Sequence, residues 1–382
     1  ILKYGKPNLF FGVSSGAIDS MVRNYTPLKK IRKNDLNLDY DEEVPNRAVI
    51  TYSNWIKQHS KGSMIVIGGT EATLRRFSHY DYWDNKVRRP ILFDSRADII
   101  AYGSAEKQIL EIAKRVKEDK PLEGIEGTCI VSNILPPKFK ELPTHEEILE
   151  SKEKFCDMQN LFTNKRNLAQ KVGHRYVLQY ASPIYTSKDL DEYYELGFTR
   201  EIPDKHLRGF EFSVVTHRGC IGNCNFCSLR LTQGDRIISR SEESILREIA
   251  GLTKLKFFKG NIDDLGGPSA NMYGMDCNLC EKDCINCQKL DRSNKRLIEL
   301  LKKAKKVPNV KNVFIRSGIR YDLASVKYIK QLSHHISGSI KVAPEHVNPY
   351  ILKLMNKDKG NLDQFLNDFI KYNPKSDITF YF

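Results

Sequence analysis

From Phe210 to Phe382 the chain alternates short apolar runs with amphipathic ones, and this order limits its possible folds more than any other feature. Phe212 to Thr216, Lys256 to Leu265, Val310 to Arg316, Ser339 to Ala343 and the run from Ile378 read as strands. Between them Ile245, Ile249 and Leu252, then Leu297, Leu300, Leu301 and Ala304, then Val326 and Ile329, then Leu362, Phe365, Leu366 and Phe369 recur at helical spacing. Ser239, three residues before Glu242, offers a capping signal for the helix expected from Ser241 to Leu252. Strands separated by helices need crossover connections, which make parallel sheets. The expectation over residues 206–382 is therefore a partial (β/α) barrel of TIM-barrel kind.

Such a sheet collects reactive groups at the carboxyl ends of its strands. Cys220 follows the first strand, Gly266 and Gly267 the second, Ser317 the third and Glu345 the fourth. The first cysteine group, Cys220, Cys224 and Cys227, has CxxxCxxC spacing. Nine cysteines, seven of them in two tight groups, do not form a secreted disulfide framework, and Cys129 and Cys156 read as ordinary buried thiols. Three thiolates can hold three irons of a [4Fe-4S] cluster and leave the fourth open to another ligand. With His217 as a fourth ligand, the same three could instead close around zinc. The second group, Cys277, Cys280, Cys284 and Cys287, can complete a zinc site or hold an auxiliary iron-sulfur cluster, and its spacing does not decide between them.

In the amino-terminal part, Leu9 to Val13, Ser63 to Ile67 and Ile99 to Tyr102 read as strands, and Ile109, Ile112, Ala113 and Val116 as one face of a helix. An α/β domain is expected over residues 1–125, with ligands at its strand ends. Residues 126–205, punctuated by Pro136, Pro137, Pro143, Pro183 and Pro203, read as a linker packing across both domains. The stretch from Arg75 to Arg89 mixes cations with aromatics. It fits a nucleic-acid surface, a solvated charged face or, the preferred reading, a lid over the substrate site.

The formal charge of +14 makes polyanions, RNA among them, electrostatically welcome partners. No apolar run approaches the roughly 20 residues that span a bilayer, and the start lacks a secretory pattern, so the expectation is a cytoplasmic protein with no membrane partner. A start without Met and an end on an apolar run read as a fragment of a longer chain.

Cys220, Cys224, Phe226 and Cys227 resemble the signature of the radical S-adenosylmethionine superfamily, CxxxCxxC with an aromatic before the last cysteine. The resemblance implies that the open iron chelates S-adenosylmethionine and that one-electron reduction cleaves its sulfonium to a 5′-deoxyadenosyl radical, the cofactors carrying the hard chemistry. It implies cofactor contacts for Phe226 beside the adenine, for the backbone of Gly266 and Gly267, and for Glu345 at the ribose or substrate, with Ser317 a further candidate by position. Pro268 stands where the superfamily's turn usually has an acidic residue. The stretch from Val342 to His346, followed by Leu352 to Lys357, resembles the methylthiotransferase subgroup.

A resemblance to the YgiQ family covers nearly the whole chain. It is carried by Phe11 to Met21, Ile67 to Phe77, His79 to Trp83, Gln233-Gly234, Ser239 to Ser241 and Asp264 to Tyr273. It implies a Rossmann-like amino-terminal domain before the radical core, and an electron donor such as flavodoxin or ferredoxin. Gly68-Gly69 and Asp98 to Glu106 resemble cobalamin-binding domains, but the Asp-x-His-x-x-Gly segment of a protein-ligated corrinoid is absent, and cobalamin is not expected. The leading expectation is an enzyme that abstracts hydrogen from an unidentified substrate, RNA being favoured by the charge. The alternative is a nonenzymatic RNA-binding protein in which both cysteine groups hold structural metal or clusters.

Overall fold

Ile65–Ile67 and Ile99–Ala101 are apolar and buried at every position, as strands covered on both faces must be. They form, with Phe11–Val13, the parallel half of a seven-stranded sheet. The computed structural model describes residues 1, 3, 5–32, 44–202, 210–277, 284–357 and 360–382. Beyond Ile99–Ala101 the sheet continues antiparallel through Thr128–Ser132, Arg175–Gln179 and Leu168–Val172, and ends on Lys140–Glu141. Helix Ala48–His59 packs Val49 and Ile56 on the face carrying Ile65, Ile67 and Ile100. Helix Glu106–Lys117 packs Ile112 on the opposite face, against Val66, Ile99 and Ala101. The period-two alternation of the strands thus feeds two cores.

Two expectations change here. Residues 126–205 do not form the linker that their prolines imply: up to Gln179 they supply four of the seven strands, and the first compact unit ends at Ile184. Pro136, Pro137 and Pro143 sit in connections, where a missing N–H costs no ladder bond. Because four strands from this region join antiparallel or at the edge, the sheet is mixed, and the first domain does not end at residue 125.

The cations from Arg75 to Arg89 are consumed inside the same unit. Arg75 pairs with Asp19, Arg88 with Asp84 at 2.9 Å and Arg89 with Asp94 at 2.8 Å. Arg76 is fully buried, donates to Gln179 Oε1 and to the Thr73 carbonyl, and lies over the rings of Tyr102 and Phe162 at 4.3 and 4.2 Å. A surface that binds nucleic acid keeps its cations available for phosphate. These are not.

Residues 185–382 form the second unit. Ser213–Val215 pairs parallel with Asp264–Gly266, Asn261–Ile262 with Asn312–Val313, and Ser339–Val342 with Asp377–Phe380. A single parallel bridge, Ile319 to Val342, joins the third connection to the fourth strand. Helices Glu242–Leu252, Lys295–Lys305, Val326–Leu332 and Leu362–Tyr372 alternate with these strands; the expected stripes of the first two are buried, whereas Val326 is exposed and Leu362 and Leu366 are half-buried beside Phe365 and Phe369. Leu297, Leu300, Leu301 and Ala304 join Val214, Leu265, Val313, Ile340, Phe365 and Phe369 in one core. The first helix is capped by Ser241, whose hydroxyl accepts from Ser244 N at 3.1 Å; Ser239 instead sits in a short antiparallel pair with His217. Among the described residues no helix is long and apolar enough to cross a membrane.

Candidate cluster and cofactor site

The first strand ends at Val215, and the chain must then turn sharply to present its cysteines. Gly219 makes that turn at φ +89°, and a Cβ added there would lie 1.7 Å from the Arg236 carbonyl oxygen. Cys220 N donates to the Gly234 carbonyl at 3.0 Å, which ties the loop to the Gln233-Gly234 turn. Its far side is fastened to the end of helix Pro349–Leu354: Asn225 N donates to Met355 O at 3.0 Å, Asn225 Nδ2 to Leu354 O at 2.8 Å, and Asn356 Nδ2 to Asn223 O at 2.6 Å. Backbone and amide contacts therefore fix the loop without using a cysteine side chain.

A cavity of about 300 Å³ lies against this loop. Cys220, Cys224, Phe226 and Cys227 form one wall; Pro268 and Ser269, Gly318 to Asp322, Ala343 and Glu345, and Tyr381 close it from the ends of the second to fifth strands. Its size is that of a small-ligand pocket. Cys220 is 6% exposed, and burial raises its thiol pKa and that of Cys227, so loading metal here displaces protons.

The donor chemistry separates two kinds of metal site. Among the described residues no three His, Cys, Asp or Glu side chains converge as a single chelated ion requires. A four-iron cluster asks for something else, since each thiolate takes its own iron and the sulfurs stand apart around the cluster. Cys220, Cys224 and Cys227 offer three thiols on one wall of the cavity, the donor set that such a cluster takes. His217 is not poised as a zinc ligand: it is fully buried, its Nδ1 lies 2.9 Å from Thr216 Oγ1, and its ring packs where a Cβ on Gly267 would come within 2.5 Å.

Of the residues expected to contact cofactor, Phe226 and Glu345 line the cavity. Phe226 is half exposed, with Lys357 Nζ 5.9 Å from its ring centre, and the same Lys357 pairs with Glu345 at 3.0 Å. Glu345 holds a positive φ of 70°, which aims its side chain from the end of the fourth strand. Gly266, Gly267 and Ser317 lie outside the lining. The Gly266 carbonyl accepts from Thr216 N at 2.8 Å, and Ser317 donates its hydroxyl to Asp264. A Cβ on Gly266 would come 2.7 Å from Ser317 Oγ, so these glycines serve close packing, and Pro268 and Ser269 reach the cavity in their place.

The reading of motifs missed Arg320 and Asp322. Arg320 presents its Nε and Nη2 to Asp322 at 3.0 and 2.6 Å and its Nη1 to Cys224 Sγ at 3.7 Å. Burial opposes the guanidinium charge, but the Asp322 carboxylate outweighs it and raises the Arg320 pKa. The available signal was an Arg-x-Asp pair in the loop after the third strand. Of the second cysteine group, Cys284 and Cys287 pack beside Ile285, Leu290 and Met275, and Cys280 lies outside the described residues.

Burial lowers the His217 pKa from 6.5 to about 4. The unfolded chain therefore binds a proton that the folded one refuses, and stability is full above about 6.5 and falls as pH drops toward about 4, at up to ~1.4 kcal/mol per unit for this group. His217→Gln is expected to flatten the dependence of urea stability on pH across that window by one proton. An unchanged slope would contradict the assignment.

A family model described as Radical SAM N-terminal matches residues 1–211. A UPF0313 protein of Fusobacterium nucleatum is 40% identical over all of this chain and 74% of its own length. A UPF0313 protein of Methanocaldococcus jannaschii is 44% identical over 95% of this chain, which spans just under two thirds of it, 65%. The solved structure of OxsB, a cobalamin-dependent S-adenosylmethionine radical enzyme with aqua-cobalamin bound, aligns with a TM-score of 0.51 at 12% identity, covering 87% of this chain and 38% of that one. At that identity the likeness is one of fold. It still overturns the expectation set against cobalamin, because a cobalamin-dependent enzyme uses the same fold. With more than half of its length matched by the one model and 40% identity sustained from end to end against a relative, the chain belongs to the UPF0313 family within the radical S-adenosylmethionine superfamily.

Proposed function

We propose that the chain is a radical S-adenosylmethionine enzyme of the YgiQ kind, in which Cys220, Cys224 and Cys227 hold a [4Fe-4S] cluster at the mouth of a partial barrel. The observation that carries this reading is the shared cavity: three cysteines from one loop face groups from the ends of four further strands. When bound, such a cluster supplies the electron that cleaves the sulfonium of S-adenosylmethionine. The chain's own part is positioning. Phe226 offers a half-exposed apolar face for a purine, and Glu345, held by Lys357, offers a carboxylate acceptor for a ribose hydroxyl. Pro268, Ser269 and Ile319 narrow the space and exclude water.

The parallel half of the first sheet supports a Rossmann-like origin for its first three strands, and the in-order parallel pairing of the second unit supports the barrel. Reduction would come from a flavodoxin or ferredoxin. The Cys277 to Cys287 group is assigned to a second metal or cluster on its spacing. The substrate stays open. RNA rests on the net charge alone, and the aromatic-basic stretch that fitted it best is internally paired.

Anaerobic reconstitution with iron and sulfide, followed by dithionite and S-adenosylmethionine, is expected to release 5′-deoxyadenosine. Intact S-adenosylmethionine beside a reducible cluster would count against the reading.

A further inference from the structure

We infer that Arg320 is a positioning residue for the cluster, its fixed positive charge beside Cys224 setting how readily the cluster accepts an electron. The inference rests on the cluster reading above and goes past it to the residue that tunes the site. The guanidinium is oriented by its partners. Its Nε and Nη2 edge is taken by Asp322, which leaves Nη1 directed at the Cys224 sulfur, 3.7 Å away. Both side chains are largely buried, 9% and 4% exposed. A buried ion pair is a poor source of stability, because desolvation offsets most of its attraction. Its place beside Cys224 is better explained by what the guanidinium does to that sulfur.

Two further features hold Arg320 in place. Within the cysteine loop, a Cβ on Gly222 would come 2.3 Å from Arg320 Nη1, so the loop is cut back where the guanidinium enters. Behind it, the fully buried Asn271 grips the Arg320 backbone from both sides: Arg320 N donates to Asn271 Oδ1 at 3.0 Å, and Asn271 Nδ2 donates to Arg320 O at 2.8 Å. Asn294 Nδ2 donates in turn to Asn271 O at 3.0 Å. The segment from Asp264 to Tyr273 thereby gains a role: its asparagine clamps the residue that faces the cluster loop. A hydrogen-bond donor and a fixed cation beside a cysteine sulfur both favour the more negative, reduced state of a cluster. The Asp322 carboxylate, on the far edge of the guanidinium, opposes them.

The test is a redox titration followed by electron paramagnetic resonance on anaerobically reconstituted protein, with iron and sulfide content measured alongside. Arg320→Gln is expected to retain iron and to lower the reduced-to-oxidised ratio at a given potential about tenfold, or about 59 mV for a one-electron couple. Arg320→Lys should restore most of that loss. Asp322→Asn is expected to shift the ratio in the opposite direction, which loss of packing alone would not do. An Arg320→Gln potential equal to the parent's, or a fall in both the Arg320→Gln and Asp322→Asn proteins, overturns the inference. If Arg320→Gln fails to hold iron, Asp322→Asn decides: a rise supports the inference, and no rise overturns it. A parent protein that assembles no [4Fe-4S] cluster defeats the cluster reading itself and this inference with it.

Discussion

Cys224→Ala protein, reconstituted without oxygen, is expected to lose the first cluster and with it 5′-deoxyadenosine formation, by a hundredfold or more. Even the outer partners of metal ligands are worth about 10–100-fold in affinity or activity, and loss of a ligand itself exceeds that. The substitution is mild for the fold. Asn225, Asn356 and Cys220 N fasten the loop through backbone and amide groups, and the Cys224 side chain is only partly buried. Thermal unfolding of the metal-free variant should therefore match that of the metal-free parent, while metal at the Cys277 to Cys287 group is retained. Equal iron content and equal turnover in variant and parent would refute the assignment of Cys224.

Gly219→Ala is the second large effect expected, and it reaches the site through the backbone alone. An L-residue held at positive φ costs roughly 1–3 kcal/mol, and here the new methyl group would also stand 1.7 Å from the Arg236 carbonyl oxygen. Backbone cannot yield as a flexible side chain does. The antiparallel pair of His217–Arg218 with Ile238–Ser239 must open, and the three cysteines move together. The predicted outcome is a urea midpoint lowered by at least the conformational cost, together with poor iron loading although all three cysteines are present. Parent-like stability and loading would contradict the geometry. Gly234→Ala is the control, because its φ is also positive, at +99°, but nothing lies within 4 Å of the added atom; it should cost stability and leave the cysteines in place.

The contrast between Leu300 and Gln179 explains what could be read from the residues alone. Leu297, Leu300, Leu301 and Ala304 repeat at helical spacing and are all fully buried, so the pattern and the packing carry the same information. Gln170 and Gln179 are also fully buried, but they sit in strands and satisfy their amides with partners from other segments of the chain. Gln179 Nε2 donates to Thr163 O and Arg166 O, and Gln170 Nε2 to Pro143 O. A strand with such residues shows no clean alternation, and with prolines on either side it passes for a linker. The paired strands are also shorter than the apolar runs that contain them. Lys256 to Leu265 looked continuous, yet pairing begins only at Asn261, because Lys256 and Phe257 are exposed at the start of the run.

At the site, the cysteines and the strand ends were legible because both follow from local order. Arg320, Asp322 and Lys357 were not, since each matters only through a partner distant in the chain: Cys224 for Arg320, and Glu345 with Phe226 for Lys357. Gly266, Gly267 and Ser317 lie outside the lining of the cavity. They stand at the right strand ends, and the structure uses them for close packing and for the Asp264 hydrogen bonds beside the cavity.

The central claim is that these three thiolates leave one iron open toward the cavity. Electron paramagnetic resonance of the dithionite-reduced holoprotein, recorded before and after S-adenosylmethionine is added, tests it most directly. A reduced four-iron signal whose line shape changes on addition is the result predicted. A signal indifferent to S-adenosylmethionine, or a protein that carries zinc and no cluster on Cys220, Cys224 and Cys227, would contradict it.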